Sequence, residues 1–262
     1  MTVVDANLRL NTYPFELQSE LRDAANEHGY RIGPEQAAGW LFFRSATAPG
    51  EIAVAATIGG MAGPFFLSVG HAGSARELKA AEASPCARGH VKAFVFPTRE
   101  AFFQGVSAVY RLSMSLPTLP FEDYLRETAD LGDTEAERLQ KVRIGQNRFR
   151  EAQLSYWNRT CPLTGIGNPD LLRASHIIPW ASCENDLERL NVHNGLLLSA
   201  LWDAAFDSGL LTFDDNGLAV PSPLLDDRAS NALGISAAPP LSLTSAHRDR
   251  LQWHRKNVWC DS

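Results

Sequence analysis

The apolar positions in the first half of the chain switch between helical spacing and short extended runs. Leu17, Leu21 and Ala24 recur at helical spacing, which predicts a helix over residues 14–28. Apolar runs separated by Gly, Pro and Ala predict strands over residues 40–44, 51–58, 64–69 and 91–96. A second helix is expected to start after Thr98 as N-cap and to bury Phe102, Val106, Val109 and Tyr110. The pattern therefore predicts a small α+β unit.

This pattern breaks near the middle of the chain, where Pro117 and Pro120 interrupt the helical spacing. The break predicts two domains joined by a linker. We assign the N-terminal α+β domain, a candidate substrate-recognition module, to residues 1–116, the linker to 117–133 and the second domain to 134–262.

The second half has clearer start and stop signals. Thr134 and Glu137 match a capping box, so a helix is expected from there towards Trp157. Residues 171–178 predict a strand, and the run that begins at Asn194 predicts its hairpin partner. Further signals predict a helix capped by Ser199, a hairpin turn over 214–217 and a C-terminal helix over 245–258. The expected fold class is α+β, with a mainly helical C-terminal domain.

Composition adds limits to this picture. The 262 residues are 45% hydrophobic and 21% charged, which is typical of a globular protein. No apolar run approaches the roughly 20 residues that span a bilayer, and the first residues do not resemble a secretory signal, so we expect a cytoplasmic protein without a membrane partner. The four cysteines form no CxxC pair, so free thiols are expected and a structural zinc is not.

Charge is distributed unevenly along the chain. The formal net charge of -6 argues against nonspecific coating of nucleic acid. Basic residues nevertheless dominate between positions 138 and 173, and acidic residues dominate between 184 and 227. This arrangement fits a polyanionic substrate beside a bound cation, and a solvated helix face is the alternative. The basic residues of the first segment are Arg138, Lys141, Arg143, Arg148, Arg150, Arg159 and Arg173.

Three polar residues between positions 173 and 209 are of types that bind metal ions or transfer protons in enzymes. His176 is predicted near a strand end, where a lone histidine is usually structural. Asp203 and Asp207 are four residues apart, so both carboxylates lie on one face of the predicted helix. They repel each other there unless a hard cation lies between them, and a solvent-exposed acidic face is the alternative.

Taken together, several segments between Arg143 and Trp259 resemble the HNH endonucleases of the ββα-metal class, in a branch associated with restriction endonucleases. The matching order is a histidine on a strand, an asparagine that opens the next strand and a metal ligand on the following helix. The segments that carry the resemblance are RIGQNRFR, CPLTG, LLRASHIIPW, ERLNVHNGLLL, LWDAAFDSGLLTFDDNG and LQWHRKNVW.

The resemblance implies a role for each matching residue. His176 would be the general base and Asn194 the asparagine that orients it. Asp203 would hold one divalent cation, Mg²⁺ or a substitute such as Mn²⁺, with Asp207 as second ligand. Ser175 departs from the family, because many HNH enzymes carry a metal-binding aspartate at that position.

The implied activity is hydrolysis of phosphodiester bonds in DNA, in restriction or defence against foreign DNA, with modified DNA as a candidate substrate. The alternatives are a decayed HNH module that binds DNA without cutting it and an acidic cation-binding module without nucleic acid. A homodimer is expected if both strands are cut. For His254, core packing and a phosphate contact remain open. The candidate DNA contacts are Arg143, Arg148, Arg150, Arg173 and His254.

Overall fold

The computed structural model describes residues 13–57, 63–116 and 118–260. The chain divides into two compact units, residues 1–114 and 115–262. Helices and small sheets occur in both, which confirms the predicted α+β class. No helix in the described ranges is long and apolar enough to cross a membrane. All four cysteines are free thiols, as predicted.

The first unit contains the strands β1 (Ile32–Ala37), β2 (Trp40–Arg44), β3 (Glu51–Ala56), β4 (Phe65–Val69), β5 (Ala81–Ala83) and β6 (Lys92–Phe96), and the helices α1 (Phe15–Glu27), α2 (Ala72–Glu77) and α3 (Arg99–Ser115). The strands form an antiparallel sheet with the order β1-β2-β3-β4-β6-β5. Helices α1 and α3 cover one face, where Leu21 and Phe102 pack with strand residues such as Phe43.

The predicted elements of this unit are all present, and the structure adds three more. The strand predicted to reach Ile58 ends at Ala56 in the structure, and Ile58 itself lies outside the described residues. The additional elements are β1, α2 and β5. The sequence did not predict β1 because its six residues, IGPEQA, are almost all exposed and show no alternation. Strand β5 has only three residues, too few to show a period.

In the second unit, helices and two antiparallel hairpins surround a core that includes Leu197, Trp202 and Phe206. Helix α4 (Thr118–Thr128) lies within the segment assigned to the linker and contacts α5 (Glu135–Tyr156). Both bonds of the predicted capping box are present, since Thr134 accepts from the Glu137 N–H and the Glu137 side chain accepts from the Thr134 N–H. The start of α5 is therefore confirmed.

After α5 the chain forms the hairpin of β7 (Leu172–His176) and β8 (Gly195–Ser199), in which His176 lies opposite Gly195. The connection between them contains the short helix α6 (Asp186–Arg189). Helix α7 (Ala200–Asp207) follows at once, which gives the order strand, strand, helix. The predicted second hairpin is formed by β9 (Leu211–Phe213) and β10 (Ala219–Pro221), and the chain continues with α8 (Asp227–Leu233) and α9 (Ser245–Asn257).

Candidate active site

His176 ends strand β7 and is held in one orientation. Its ring stacks on Phe149 of α5, with 3.7 Å between ring centroids and 17° between planes. The edge of Trp180 closes another side at 5.5 Å. Nε2 of His176 lies 3.0 Å from the carbonyl oxygen of Arg189. A carbonyl oxygen only accepts, so Nε2 carries the hydrogen and Nδ1 keeps its lone pair.

This environment also fixes the charge of His176. Burial lowers the pKa of the imidazole to about 4, and the bond to the Arg189 carbonyl opposes that shift only in part. The ring is therefore neutral near pH 7. A neutral imidazole whose Nδ1 is free to accept a proton, at the wall of a cleft, has the properties required of a general base.

The loop after β7 brings the Arg189 carbonyl to His176. The Arg189 guanidinium donates to the carbonyl oxygens of Trp180 at 3.1 Å and Cys183 at 2.9 Å, and to Asp186 at 2.8 Å. Trp180 itself lies against Gly145 of α5, where an added Cβ would be only 2.7 Å from the indole. Because Gly145 has no side chain, the indole of Trp180 can approach the helix this closely.

Asn194 is fully buried in a 3-10 turn, Val192–Asn194, directly before β8, rather than in the strand where the sequence placed it. Its Oδ1 accepts from the N–H of Ile178 at 2.9 Å, and its Nδ2 donates to the Ile178 carbonyl at 3.1 Å. Nδ2 also lies 3.3 Å from Sγ of Cys183. One side chain thus ties both ends of the loop that follows His176.

Asp203 lies in the first turn of α7 and contacts the residue before the histidine. The Ser175 hydroxyl, which is buried, donates a hydrogen bond to Oδ1 of Asp203 with 2.5 Å between the oxygens. The family resemblance leads us to look for an aspartate at position 175. In this chain a serine stands there, and its hydroxyl bonds to a carboxylate of the helix.

Asp207 lies one turn further along α7 and lines the same cleft as His176. Partial desolvation, and then the neighbouring Asp203 carboxylate, raise the pKa of Asp207 to about 6. Neither carboxylate forms an ion pair within the described ranges. The cleft has a volume of about 320 Å³ and is lined by Ala174, His176, Pro179, Trp180, Asp207, His254 and Val258.

Asp203 and Asp207 are candidate groups for a divalent cation. Neither carboxylate has an ion-pair partner among the described residues, and a hard cation between them would offset their mutual repulsion. In the same ranges, no three His, Cys, Asp or Glu side chains converge as a complete ligand set. Asp203 and Asp207 would therefore supply two protein groups, and any further ligands would come from elsewhere.

His254 of α9 is the remaining candidate residue, and its side chain is only 1% exposed. Its ring stacks on Phe206 of α7, with 4.0 Å between centroids and 3° between planes, and its Nδ1 lies 3.1 Å from Oγ1 of Thr212. Burial lowers its pKa to about 4. A backbone hydrogen bond to Phe206 opposes that shift in part. The residue thus lines the cleft and is not available on the outer surface.

The four candidate arginines differ in what they already bind. Arg143 is exposed and has no hydrogen bond or ion pair within residues 118–260. Arg148 pairs with Asp123 and Glu127 of α4. Arg150 donates to the carbonyl oxygens of Leu172 and Pro169, at 3.0 and 2.8 Å, and Arg173 donates to those of Asp170 and Leu172, both at 2.9 Å.

Residues 161–214 match the family model described as HNH endonuclease. The matched segment contains β7, β8, α7 and β9, and hence His176, Asn194, Asp203 and Asp207. The match confirms, over this part of the chain, the resemblance to HNH endonucleases inferred from the sequence. No curated protein matches the chain. Phe149, Arg143 and His254 lie outside the matched segment.

Proposed function

We propose that this protein is a metal-dependent DNA endonuclease and that His176 is its general base. The observation that carries the proposal is the hydrogen bond from Nε2 of His176 to the Arg189 carbonyl, which directs the Nδ1 lone pair away from that bond. The same ring is neutral near pH 7 and lines a cleft with Asp207. The candidate base and one of the two candidate carboxylates, Asp207, thus line one space that can admit a phosphodiester.

In this proposal each residue of the chain has a distinct task. Nδ1 of His176 accepts a proton from the attacking water, and the resulting imidazolium keeps its bond to the Arg189 carbonyl. Phe149 and Trp180 hold the plane of the ring. Asn194 fixes the loop that carries Arg189, because it binds both backbone groups of Ile178. Asn194 therefore acts through the geometry of His176 and does not touch the substrate.

Asp203 and Asp207 would hold one divalent cation, Mg²⁺ or Mn²⁺. When bound, the cation supplies positive charge for the phosphate oxygens as negative charge develops on them. Ser175 would position Asp203, since its hydroxyl occupies Oδ1 and leaves Oδ2 for the cation. Exposed Arg143 is the candidate contact to a DNA phosphate.

We further propose a role in restriction or defence against foreign DNA, with the N-terminal α+β unit as the module that selects modified or unmodified substrate. The support is the restriction-associated resemblance of the segments between Arg143 and Trp259 and the presence of a separate unit before them.

A DNA-binding protein that no longer cuts is the second candidate. The observation in its favour is Ser175, because a serine is a poor ligand for a hard cation where an aspartate is common. The bond from Ser175 to Asp203 favours the nuclease, since it keeps a carboxylate at that position.

Supercoiled plasmid DNA, incubated with the full chain and Mg²⁺ or Mn²⁺, tests the two candidates. We expect nicked or linear product that disappears with a chelator and in His176→Ala, while DNA binding persists. The matched control is His28→Ala in the first unit, which should cut normally. Binding without cleavage by the wild type would establish the DNA-binding alternative. Parallel digests of methylated, hydroxymethylated and unmodified DNA test the proposed selection.

A further inference from the structure

Helix α4 precedes the segment that matches the HNH family, yet it packs close to the candidate base. Its buried Tyr124 belongs to an apolar cluster with Phe149 and Leu190, and Trp180 packs against that cluster. Phe149 and Trp180 are the aromatic residues that contact the ring of His176. A residue from the segment that the sequence assigned to the linker therefore supports the side chains around the candidate base.

Tyr124 is held firmly against α5. Arg148 of α5 forms ion pairs with Asp123 and Glu127, which lie on either side of Tyr124 in α4. A Cβ added at Gly145 of α5 would lie 3.5 Å from the Tyr124 ring, which is ordinary van der Waals contact. The tyrosine thus has a fixed position relative to the helix that carries Phe149.

The Tyr124 hydroxyl reaches the loop that follows β7. It donates a long hydrogen bond to Oδ2 of Asp186, with 3.4 Å between the oxygens. Oδ1 of the same carboxylate accepts from Nη1 of Arg189 at 2.8 Å. Burial, and then the Asp186 carboxylate, raise the pKa of Tyr124, so the hydroxyl keeps its proton near pH 7 and acts as the donor. Asp186 is therefore held between α4 and Arg189.

The guanidinium of Arg189 in turn fixes the shape of the loop. Nε donates to the Trp180 carbonyl at 3.1 Å and Nη2 to the Cys183 carbonyl at 2.9 Å. Together with Asp186, the three acceptors engage all three nitrogens, which a lysine ammonium could not reproduce. The backbone carbonyl of Arg189 accepts from Nε2 of His176 at 3.0 Å. The position of this one residue thus decides which nitrogen of His176 carries the hydrogen.

We propose that Tyr124 and Asp186 are positioning residues for His176 and that they act through Arg189. Neither side chain lines the cleft beside His176, in the part of the chain that the structure describes. Their effect is to keep the Arg189 carbonyl at Nε2, so that Nδ1 presents its lone pair to the attacking water. The inference rests on the proposed nuclease and adds a positioning residue from outside the matched segment.

Nitrogen NMR spectroscopy of the full chain with isotope-labelled histidines tests this role and needs no cleavage. At pH 7 without metal, we expect the wild type to carry the His176 hydrogen on Nε2, in a signal that is absent from His176→Gln. Tyr124→Phe, which removes only the hydroxyl, and Asp186→Asn, which removes the charge beside Arg189, should both populate the other tautomer. The matched control is Tyr110→Phe, which removes a hydroxyl bonded to Thr47 in the first unit and should leave the signal unchanged.

Cleavage kinetics test whether the two residues act in series. Tyr124→Phe should lower kcat about 3-fold and Asp186→Asn about 10-fold, with KM unchanged, because neither side chain touches DNA. If both act through Arg189, the double variant should be about as slow as Asp186→Asn alone, and not about 30-fold slower than the wild type. Thermal unfolding checks that each variant is folded.

Three outcomes would overturn the inference. A wild-type His176 with its hydrogen on Nδ1 would show that the Arg189 carbonyl does not position the ring. If the wild type cuts DNA and both variants keep its tautomer and its kcat, the positioning role is wrong while the proposed nuclease stands. Effects that multiply in the double variant would show that the residues do not act through a shared Arg189. If the wild type does not cut, the proposed nuclease is wrong, and the tautomers alone decide whether Tyr124 and Asp186 position the ring.

Discussion

The Ser175 hydroxyl and the Asp203 carboxylate are joined by a hydrogen bond of 2.5 Å between two residues that are 28 positions apart. The bond connects strand β7, which ends in the candidate base, to the first turn of helix α7. It therefore couples the position of the candidate metal ligand to the position of His176.

Two different substitutions of Ser175 should change the affinity for Mn²⁺ in opposite directions. Ser175→Asp places a third carboxylate beside Asp203, which should lower the unfolding temperature in chelator and raise Mn²⁺ affinity at least about 10-fold. Ser175→Ala leaves Asp203 without its positioning bond and should weaken Mn²⁺ binding about 10-fold or more. Calorimetric titration measures both. Equal affinities in all three proteins would show that the cation does not bind at Asp203.

The pKa of His176 predicts how stability depends on pH. The folded protein takes up this proton near pH 4, whereas the unfolded chain takes it up near the ordinary histidine value of 6.5. Between these values the unfolded state binds more protons, so the wild type should lose stability as pH falls from about 6.5 to about 4. His176→Gln removes this contribution.

Unfolding temperatures of the wild type and His176→Gln, measured without metal from pH 7.5 to 4.5, test this prediction. The difference between the two proteins should be constant above pH 7 and shift against the wild type below it. Two parallel curves would mean that the imidazole is not buried as a neutral ring.

We expect Asn194 to contribute more to the free energy of unfolding than a polar residue that makes a single capping bond. Asn194→Ala leaves the N–H of Ile178 without its partner and the Ile178 carbonyl with only the weak Cys183 thiol donor, and a buried group left unsatisfied costs about 1–3 kcal/mol. We expect a loss of at least about 2 kcal/mol in the free energy of unfolding and little cleavage. The matched control is Asn191→Ala, which removes one capping bond to the His193 N–H and should cost about 1 kcal/mol. A smaller loss for Asn194 than for Asn191 would contradict the proposed clamp.

Arg143 and Arg150 should respond differently to loss of charge. Arg143 is exposed without a bonded partner in the described residues, so Arg143→Gln should weaken binding to all DNA sequences and reduce the salt dependence by about one counterion. Arg150 bonds to two backbone carbonyls before β7, so Arg150→Gln should lower stability instead. Binding measured at several salt concentrations and thermal unfolding separate the two effects. Identical salt slopes for Arg143→Gln and wild type would remove Arg143 from the interface.

Local signals in the sequence were sufficient for elements with marked ends. The capping box at Thr134 and the strand at Trp40–Arg44 depend on neighbours within a few residues, so the sequence predicts them well. The exposed strand β1 has no such signal, because backbone pairing with β2 alone defines it.

The candidate site is harder to predict because its contacts are distant in sequence. His176, Asn194 and Asp203 could be selected by their order along the chain. The acceptor for His176 is the backbone carbonyl of Arg189, a group that every residue possesses and that no side-chain pattern marks. The stacking of His254 on Phe206 joins residues that are 48 positions apart. No pattern in the sequence indicates that α9 packs against α7.

The pair Asn194 and Gly195 has a consequence for recognising related sequences. Asn-Gly is normally a sign that the chain reverses direction in a two-residue turn. Here Gly195 is extended, with φ -151°, and lies where an added Cβ would be 2.4 Å from Phe149 and 2.3 Å from Gln153. Strand β8 begins at this dipeptide, at a position near the candidate base His176 where there is no space for a side chain. A sequence search that reads Asn-Gly as a turn would therefore place a break inside the β7–β8 hairpin, at the first residue of β8.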